Sequence, residues 1–250
     1  VISGGRIIAG MVVGLGVEAY TYEVNPTFMR ERYREAHDLI VRAWTEREPF
    51  HFEGKHYDFR FVNVWPRPIQ QPHPPIWIPG SGSIETIRWV AERRYPYIAL
   101  PFSPIQVMKE HYDTLREYSS TTLGEEVPPE RLGWPVIVYV SDTDEKARKE
   151  FEPHFWYLAK KCLRMPREYM FPPGHTSVES LTRVTGTKRK FVTMLTSWDE
   201  VEEGLYAVVG SPATVREKMR EALKLTGCGI VQGIFQVGSM PHEQAMRNME

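Results

Sequence analysis

The sequence predicts an α/β fold built on a parallel sheet, and three observations carry that reading. Continuous apolar runs bounded by turn residues suit strands buried on both faces, as parallel sheets require. Those runs alternate with amphipathic stretches that open on helix-start residues, the pattern of βαβ units with right-handed crossovers. At 250 residues and 42% hydrophobic, the chain has material for one substantial core, read as a single domain over residues 1–250.

The first run, residues 7–13 (IIAGMVV), reads as a buried strand. Arg6 and the apolar stretch after it imitate a secretory leader. Glu18, Glu23 and a capped helix follow, however, with no small-residue cleavage pattern. The run is also too short to cross a bilayer, and no other is longer. Asn25-Pro26 supplies an N-cap and an N1 proline for a helix with Phe28, Tyr33, Ala36, Leu39, Ile40, Ala43 and Trp44 on one face. Residues 50–58 (FHFEGKHYD) alternate around Glu53-Gly54 and predict a small hairpin.

A strand at 75–79 (PIWIP) then runs through a Gly/Ser turn into a helix burying Ile84, Ile87 and Val90. A third strand is expected at 97–101 (YIALP). Ser103-Pro104-Ile105-Gln106 after it combines an N1 proline with a capping box. The strand at 135–140 (PVIVYV) precedes a long, partly helical excursion at about 153–197, broken by Pro172-Pro173-Gly174. An insertion of that size covers a site or a subunit contact. Ser197 with Glu200 forms another capping box. Ser211-Pro212 opens a helix with Val215, Met219, Ala222 and Leu223 on one face, closed by Gly227, and the last strand is 229–237 (GIVQGIFQV).

Composition excludes several function classes. The formal net charge is −1, from 31 basic and 32 acidic residues, so neither nucleic acid nor an anionic membrane is an expected partner. Cys162 and Cys228 lack metal or redox spacing and suit reduced thiols in the cytoplasm. His51, His56 and His73 are scattered, His111 and Tyr112 fall in a helix as ordinary surface or core-edge residues, and His242-Glu243 has no second histidine four residues on, so no metal site is expected.

One stretch has a clear chemical logic. Pro79-Gly80-Ser81-Gly82-Ser83 leads into Ile84-Glu85-Thr86, and a strand that turns into a helix start offers free N–H groups and the positive dipole end to an anion. Ser81, Ser83 and Thr86 add hydroxyls, and Gly80 and Gly82 permit close approach of backbone to ligand. The simpler alternative is that Ser83 merely caps the helix. A second candidate is the glycine-rich strand end from Gly10 to Gly16, where a flat ring can lie on backbone or where strands pack closely. Tyr20 and Tyr22 lie just beyond it, and His242 just beyond the last strand, as the next candidates.

Taken together, SGGRIIAGMVVGLG, a helix ending in AWT, FEGKHYDF, PRPIQQPHPPIWIPGSGS, GSPATVREKM and VGSMPHEQAMR resemble the bacterial luciferase-like flavin monooxygenases, in family order over nearly the whole chain. The resemblance implies a (β/α)₈ TIM-barrel type of fold with flavin at the C-terminal ends of the strands. The implied cofactor is FMN, with a deazaflavin as the alternative, reduced by NAD(P)H directly or through a flavin reductase. The family's phosphate contacts fall on Gly82, Ser83 and Thr86, beside Gly80 and Ser81, and the backbone following the flavin edge falls on Gly14 and Leu15. Val13 stands where luciferases have an arginine, and Val12 where they have a reactive cysteine.

Family members carry roughly a hundred further residues before the SGGR block, against a barrel's eight strands. Only later strands are expected here, so the barrel is incomplete and its catalytic residues are not assigned. An open sheet exposes an edge and a slice of core, which predicts a homo-oligomer or another segment covering strand 7–13. The expected activity is oxidation of a small organic substrate by reduced flavin and dioxygen, with 153–197 as a lid. A non-catalytic flavin-binding subunit and a deazaflavin-dependent oxidoreductase are the alternatives.

Overall fold

A computed structural model describes residues 1–185 and 190–250. Its elements run β1 (Ala9–Gly10), α1 (Gly16–Thr21), α2 (Met29–Thr45), β2 (Phe50–Glu53), β3 (Asp58–Val62), β4 (Ile76–Gly80) and α3 (Ile84–Arg93). There follow β5 (Tyr97–Ala99), α4 (Ile105–Tyr118), β6 (Leu132–Val140), α5 (Asp144–Tyr157), α6 (Arg167–Met170) and α7 (Val178–Thr185). The chain closes with α8 (Trp198–Glu203), β7 (Ala207–Gly210), α9 (Pro212–Thr226), β8 (Ile230–Ile234) and α10 (His242–Met249). Contacts cluster into two units: Val1–Pro79 with Met165–Val178, and Gly80–Arg164 with Glu179–Glu250.

In the first unit β1 pairs in parallel with β4, Ala9 opposite Ile76 and Gly10 opposite Trp77. The long helix α2 begins beyond a 3₁₀ turn over Pro26–Phe28, where the Asn25 side chain accepts from the Thr27 N–H at 3.0 Å, so the expected cap is present. Arg67 closes the other end of α2, donating to the carbonyls of Ala43, Glu46 and Arg47, the arrangement a helix C-terminus favours. The hairpin β2–β3 forms as predicted. Glu35 of α2 plugs its turn, accepting from the N–H groups of Lys55 (3.1 Å), His56 (2.9 Å) and Tyr57 (2.7 Å).

The second unit is organised by β6, whose apolar run is buried through Tyr139. Gly133 pairs with both Ile98 and Ile230, and Ile137 with both Ala207 and Ile234. A residue has only two strand edges, so β5 and β7 share one edge of β6 while β8 takes the other. Ile137 and Tyr139 pack on Phe151 and Phe155 of α5, Trp198 of α8 and Val209 of β7. The Phe151 ring lies 5.3 Å from Tyr139 and 6.3 Å from Trp198, centroid to centroid, within the range where aromatic pairs attract.

Several elements differ from expectation. The strand predicted at 7–13 shrinks to two residues, with Ile7, Ile8 and Val12 exposed. Its polar backbone is met by side chains instead, Gln70 Nε2 donating to the Ile7 carbonyl and the Tyr33 hydroxyl to the Met11 carbonyl. The strand predicted at 229–237 is confined to β8, where Val231, Gln232 and Gly233 are exposed. Being the outer row of its sheet, it lacks the second covering layer that a buried parallel strand needs. The capping box at Ser103 does not form, because Pro104 itself is the N-cap of α4 and no side chain bonds there. Strand β7 was not expected: four residues are too few to show a period.

Candidate functional site

The turn Gly80–Ser83 leaves β4 and enters α3, the geometry expected of an anion cradle. Ser83 is the N-cap residue, yet its side chain makes no capping bond. Its hydroxyl donates to Thr86 Oγ1 at 2.8 Å, with both residues buried. Plain helix capping therefore does not account for this serine. Two hydroxyls face one another at the positive end of α3, where an anion is favoured.

The glycines of the turn have an internal reason as well. A side chain at Gly80 would meet the Tyr97 ring at 2.8 Å, and one at Gly82 would meet His111 Nε2 at 2.1 Å. Gly82 also holds φ at +89°, a conformation that favours glycine. The Tyr97 hydroxyl donates to the Gly80 carbonyl at 2.9 Å and lies 3.3 Å from His111 Nδ1. Tyr97 and His111 thus form a buried floor under the turn. His111, read in the sequence as an ordinary helix residue, is 1% exposed and supports the candidate site.

Sequence reading missed Ser180 altogether. Fully buried on α7, it accepts the Ile84 N–H at 3.0 Å and donates to Glu85 Oε2 at 2.6 Å. The first amide of α3 is thus held by the chain's own hydroxyl. Arg183 fastens α7 to α4 through Thr114 Oγ1 and the Glu110 carbonyl. A single serine inside a long irregular segment carries no periodic signal, so only the fold reveals it.

Gly14 and Leu15 belong to the first unit. The Leu15 N–H is taken by Glu18 Oε2 at 2.6 Å, closing the start of α1. Gly14 holds φ at +93°, and a side chain there would meet the same carboxylate oxygen at 2.3 Å. Gly16 is pressed against Pro172 and the Met170 carbonyl. Tyr20 stacks at a tilt on Tyr169, 4.9 Å between centroids, and Tyr22 is exposed.

The remaining candidates disperse. His51 faces Asp58 across the hairpin and His56 faces Glu31, while the His73 ring bonds the Pro74 carbonyl. His242 is the first residue of α10. Cys162 is exposed, and the Cys228 thiol is buried with its pKa raised by desolvation. No group of three or more His, Cys, Asp or Glu capable of holding a metal occurs among the described residues. No helix among them is long and apolar enough to cross a membrane.

Comparison with known proteins gives this geometry its setting. A Pseudomonas putida protein named FMNH₂-dependent dimethylsulfone monooxygenase is 30% identical over 150 residues, covering 58% of this chain and 39% of its own. The oxygenating constituent of 3,6-diketocamphane monooxygenase from Pseudomonas putida, a type II Baeyer-Villiger enzyme solved with FMN, superposes with TM-score 0.65 at 20% identity. That match covers 94% of this chain and 66% of the other. The coenzyme F420-dependent tetrahydromethanopterin reductase of Methanopyrus kandleri gives 0.61 at 17% identity, covering 98% and 72%. The chain spans at most 66% of the first curated relatives it matches. These likenesses show the fold, the incomplete (β/α) barrel type that the sequence motifs implied. The model of the luciferase-like monooxygenases matches residues 1–228, and the chain belongs to that family.

Proposed function

We propose that the chain binds FMN and takes part in a flavin-dependent oxidation of a small organic substrate by dioxygen. The observation that carries this reading is the pair of facing hydroxyls, Ser83 and Thr86, at the start of α3. The donor set fits a phosphate: two hydroxyls and the amides of a helix first turn, with Ser81 alongside. Bound reduced flavin would supply the activation of dioxygen. The residues of this chain hold the phosphate at Gly80, Ser81, Gly82, Ser83 and Thr86, and offer Gly14 and Leu15 as backbone for the ring. Tyr97 and His111 hold the turn in shape beneath the anion.

The named activity of the Pseudomonas putida relative supports FMN as the cofactor. The archaeal reductase supports a deazaflavin reading on the same fold, and a flavin-binding subunit without its own chemistry is the third. Delivery of electrons by NAD(P)H or a separate reductase, a homo-oligomeric state and a cytoplasmic setting belong to the same proposal. So does the reading of residues 1–250 as one domain with a lid at 153–197, of which 186–189 lie outside the described residues.

The test is Ser83→Ala combined with Thr86→Ala. The melting temperature of the variant, measured beside that of the parent, checks that it folds. Its affinity for FMN should fall by about 1–3 kcal/mol, while binding of riboflavin, which lacks the phosphate, should not change. Equal FMN affinity in variant and parent rejects the cradle. Incorporation of an oxygen atom from dioxygen into a substrate in the presence of reduced FMN, rather than release of hydrogen peroxide alone, separates the monooxygenase from the other two readings.

A further inference from the structure

The segment after α6 crosses the start of α1. Gly16 touches Pro172 and the Met170 carbonyl, Gly174 sits against Thr27 in the 3₁₀ turn, and the His175 N–H closes a turn onto the Pro172 carbonyl at 3.1 Å. This delivers His175 into the first unit with 9% of its surface exposed. Its Nδ1 is buried and has no hydrogen-bond partner among the described residues. A buried imidazole nitrogen left unmatched is destabilising, so such an atom needs an explanation.

The charged groups acting on the ring are Arg30 of α2 and Glu18 of α1, and Glu18 is the residue that fastens Leu15 beside Gly14. Burial first, and Arg30 second, hold the His175 pKa below its ordinary value, with Glu18 opposing. The ring is therefore neutral at pH 7, and its tautomer lets Nδ1 either donate or accept.

We propose that His175 is a ligand-binding residue whose Nδ1 hydrogen-bonds a polar edge of the flavin ring lying over Gly14 and Leu15. The inference rests on the flavin reading above and adds to it a residue from the inserted segment. It assigns that segment a direct part in holding the ring. The bond is neutral to neutral and needs no proton transfer.

The experiment is FMN titration of the 250-residue chain and of His175→Phe, with melting temperature measured alongside. Phe fills the same space without an orphaned nitrogen, so the unliganded variant should melt no lower than its parent. Its FMN dissociation constant should rise about 3- to 10-fold, the worth of one net hydrogen bond. His175→Asn, which returns a polar atom near Nδ1, should restore affinity to within about threefold. In protein labelled with ¹⁵N-histidine, FMN should shift the His175 Nδ1 resonance. Unchanged affinity in His175→Phe with FMN bound overturns this inference alone. A melting temperature that falls in step with affinity, unrescued by Asn, assigns a purely structural role and also overturns it. A parent chain that binds no FMN overturns the flavin reading itself, and this one with it.

Discussion

Ser180 and Ile84, 96 positions apart in the chain, are joined by a 3.0 Å hydrogen bond from the Ile84 N–H to the Ser180 hydroxyl. The bond places a residue of the inserted segment on the amide that an anion at the start of α3 would use. Glu85, which accepts from the same hydroxyl, is turned toward the serine.

Ser180→Ala should accordingly tighten FMN binding about 3- to 10-fold, because phosphate oxygens would no longer displace an internal partner from this amide. The unliganded protein should lose about 1 kcal/mol of stability through the unmatched N–H. Fluorescence titration paired with urea unfolding reads both. Weaker binding in the variant would make Ser180 a phosphate donor instead.

Gly82→Ala should be costly. The new methyl would lie 2.1 Å from His111 Nε2 on a backbone at φ +89°, combining overpacking with left-handed strain, about 2–4 kcal/mol together. His111→Ala in the same chain should recover the steric part and leave the backbone part. Denaturation midpoints of the single and double variants give the split.

Glu35 ties α2 to the hairpin, and its contribution should depend on pH. Desolvation alone would raise its pKa, but the amides of His56, Tyr57 and Lys55 outweigh that and hold it below the ordinary 4.5. A depressed folded-state pKa adds stability above the unfolded value and loses it as pH falls through the folded one. Glu35→Gln should therefore cost about 1–2 kcal/mol at neutral pH, with parent and variant converging as pH falls through the lowered Glu35 pKa. The amides of residues 55–57 should exchange faster in the variant.

The two thiols should separate cleanly. Cys162 is exposed, whereas Cys228 is buried with a raised pKa, and the thiolate is the reactive form. A disulfide reagent should titrate one thiol in the native chain and both in denaturant. Fast reaction of both under native conditions would contradict the burial of Cys228.

How far the sequence was readable follows from where each signal resides. The helix starts at Asn25, Ser197 and Ser211 were readable because capping is local: each side chain accepts an amide two or three residues on. The central strand β6 was readable because both its edges and faces are covered, so its run is apolar throughout. The flanking strands were overread, since Ile7, Ile8 and Val231 are as apolar as core residues but have no layer over them. At the candidate site the Gly-Ser turn was visible, while its floor and the serine that holds its first amide were not. Tyr97, His111 and Ser180 meet the turn from 17 to 96 positions away, and no local pattern encodes such meetings. The two glycines also had a second meaning, making room for rings inside the protein.

The outer row of the second unit has a practical consequence. Strand β8 bonds only to β6 among the described residues and turns Val231, Gln232 and Gly233 to solvent, so its far side presents unsatisfied donors and acceptors in register. Such a margin templates extended peptide. Concentrated preparations of this polypeptide should self-associate along β8, and Gln232→Lys should keep them dispersed without touching the Gly80–Thr86 turn.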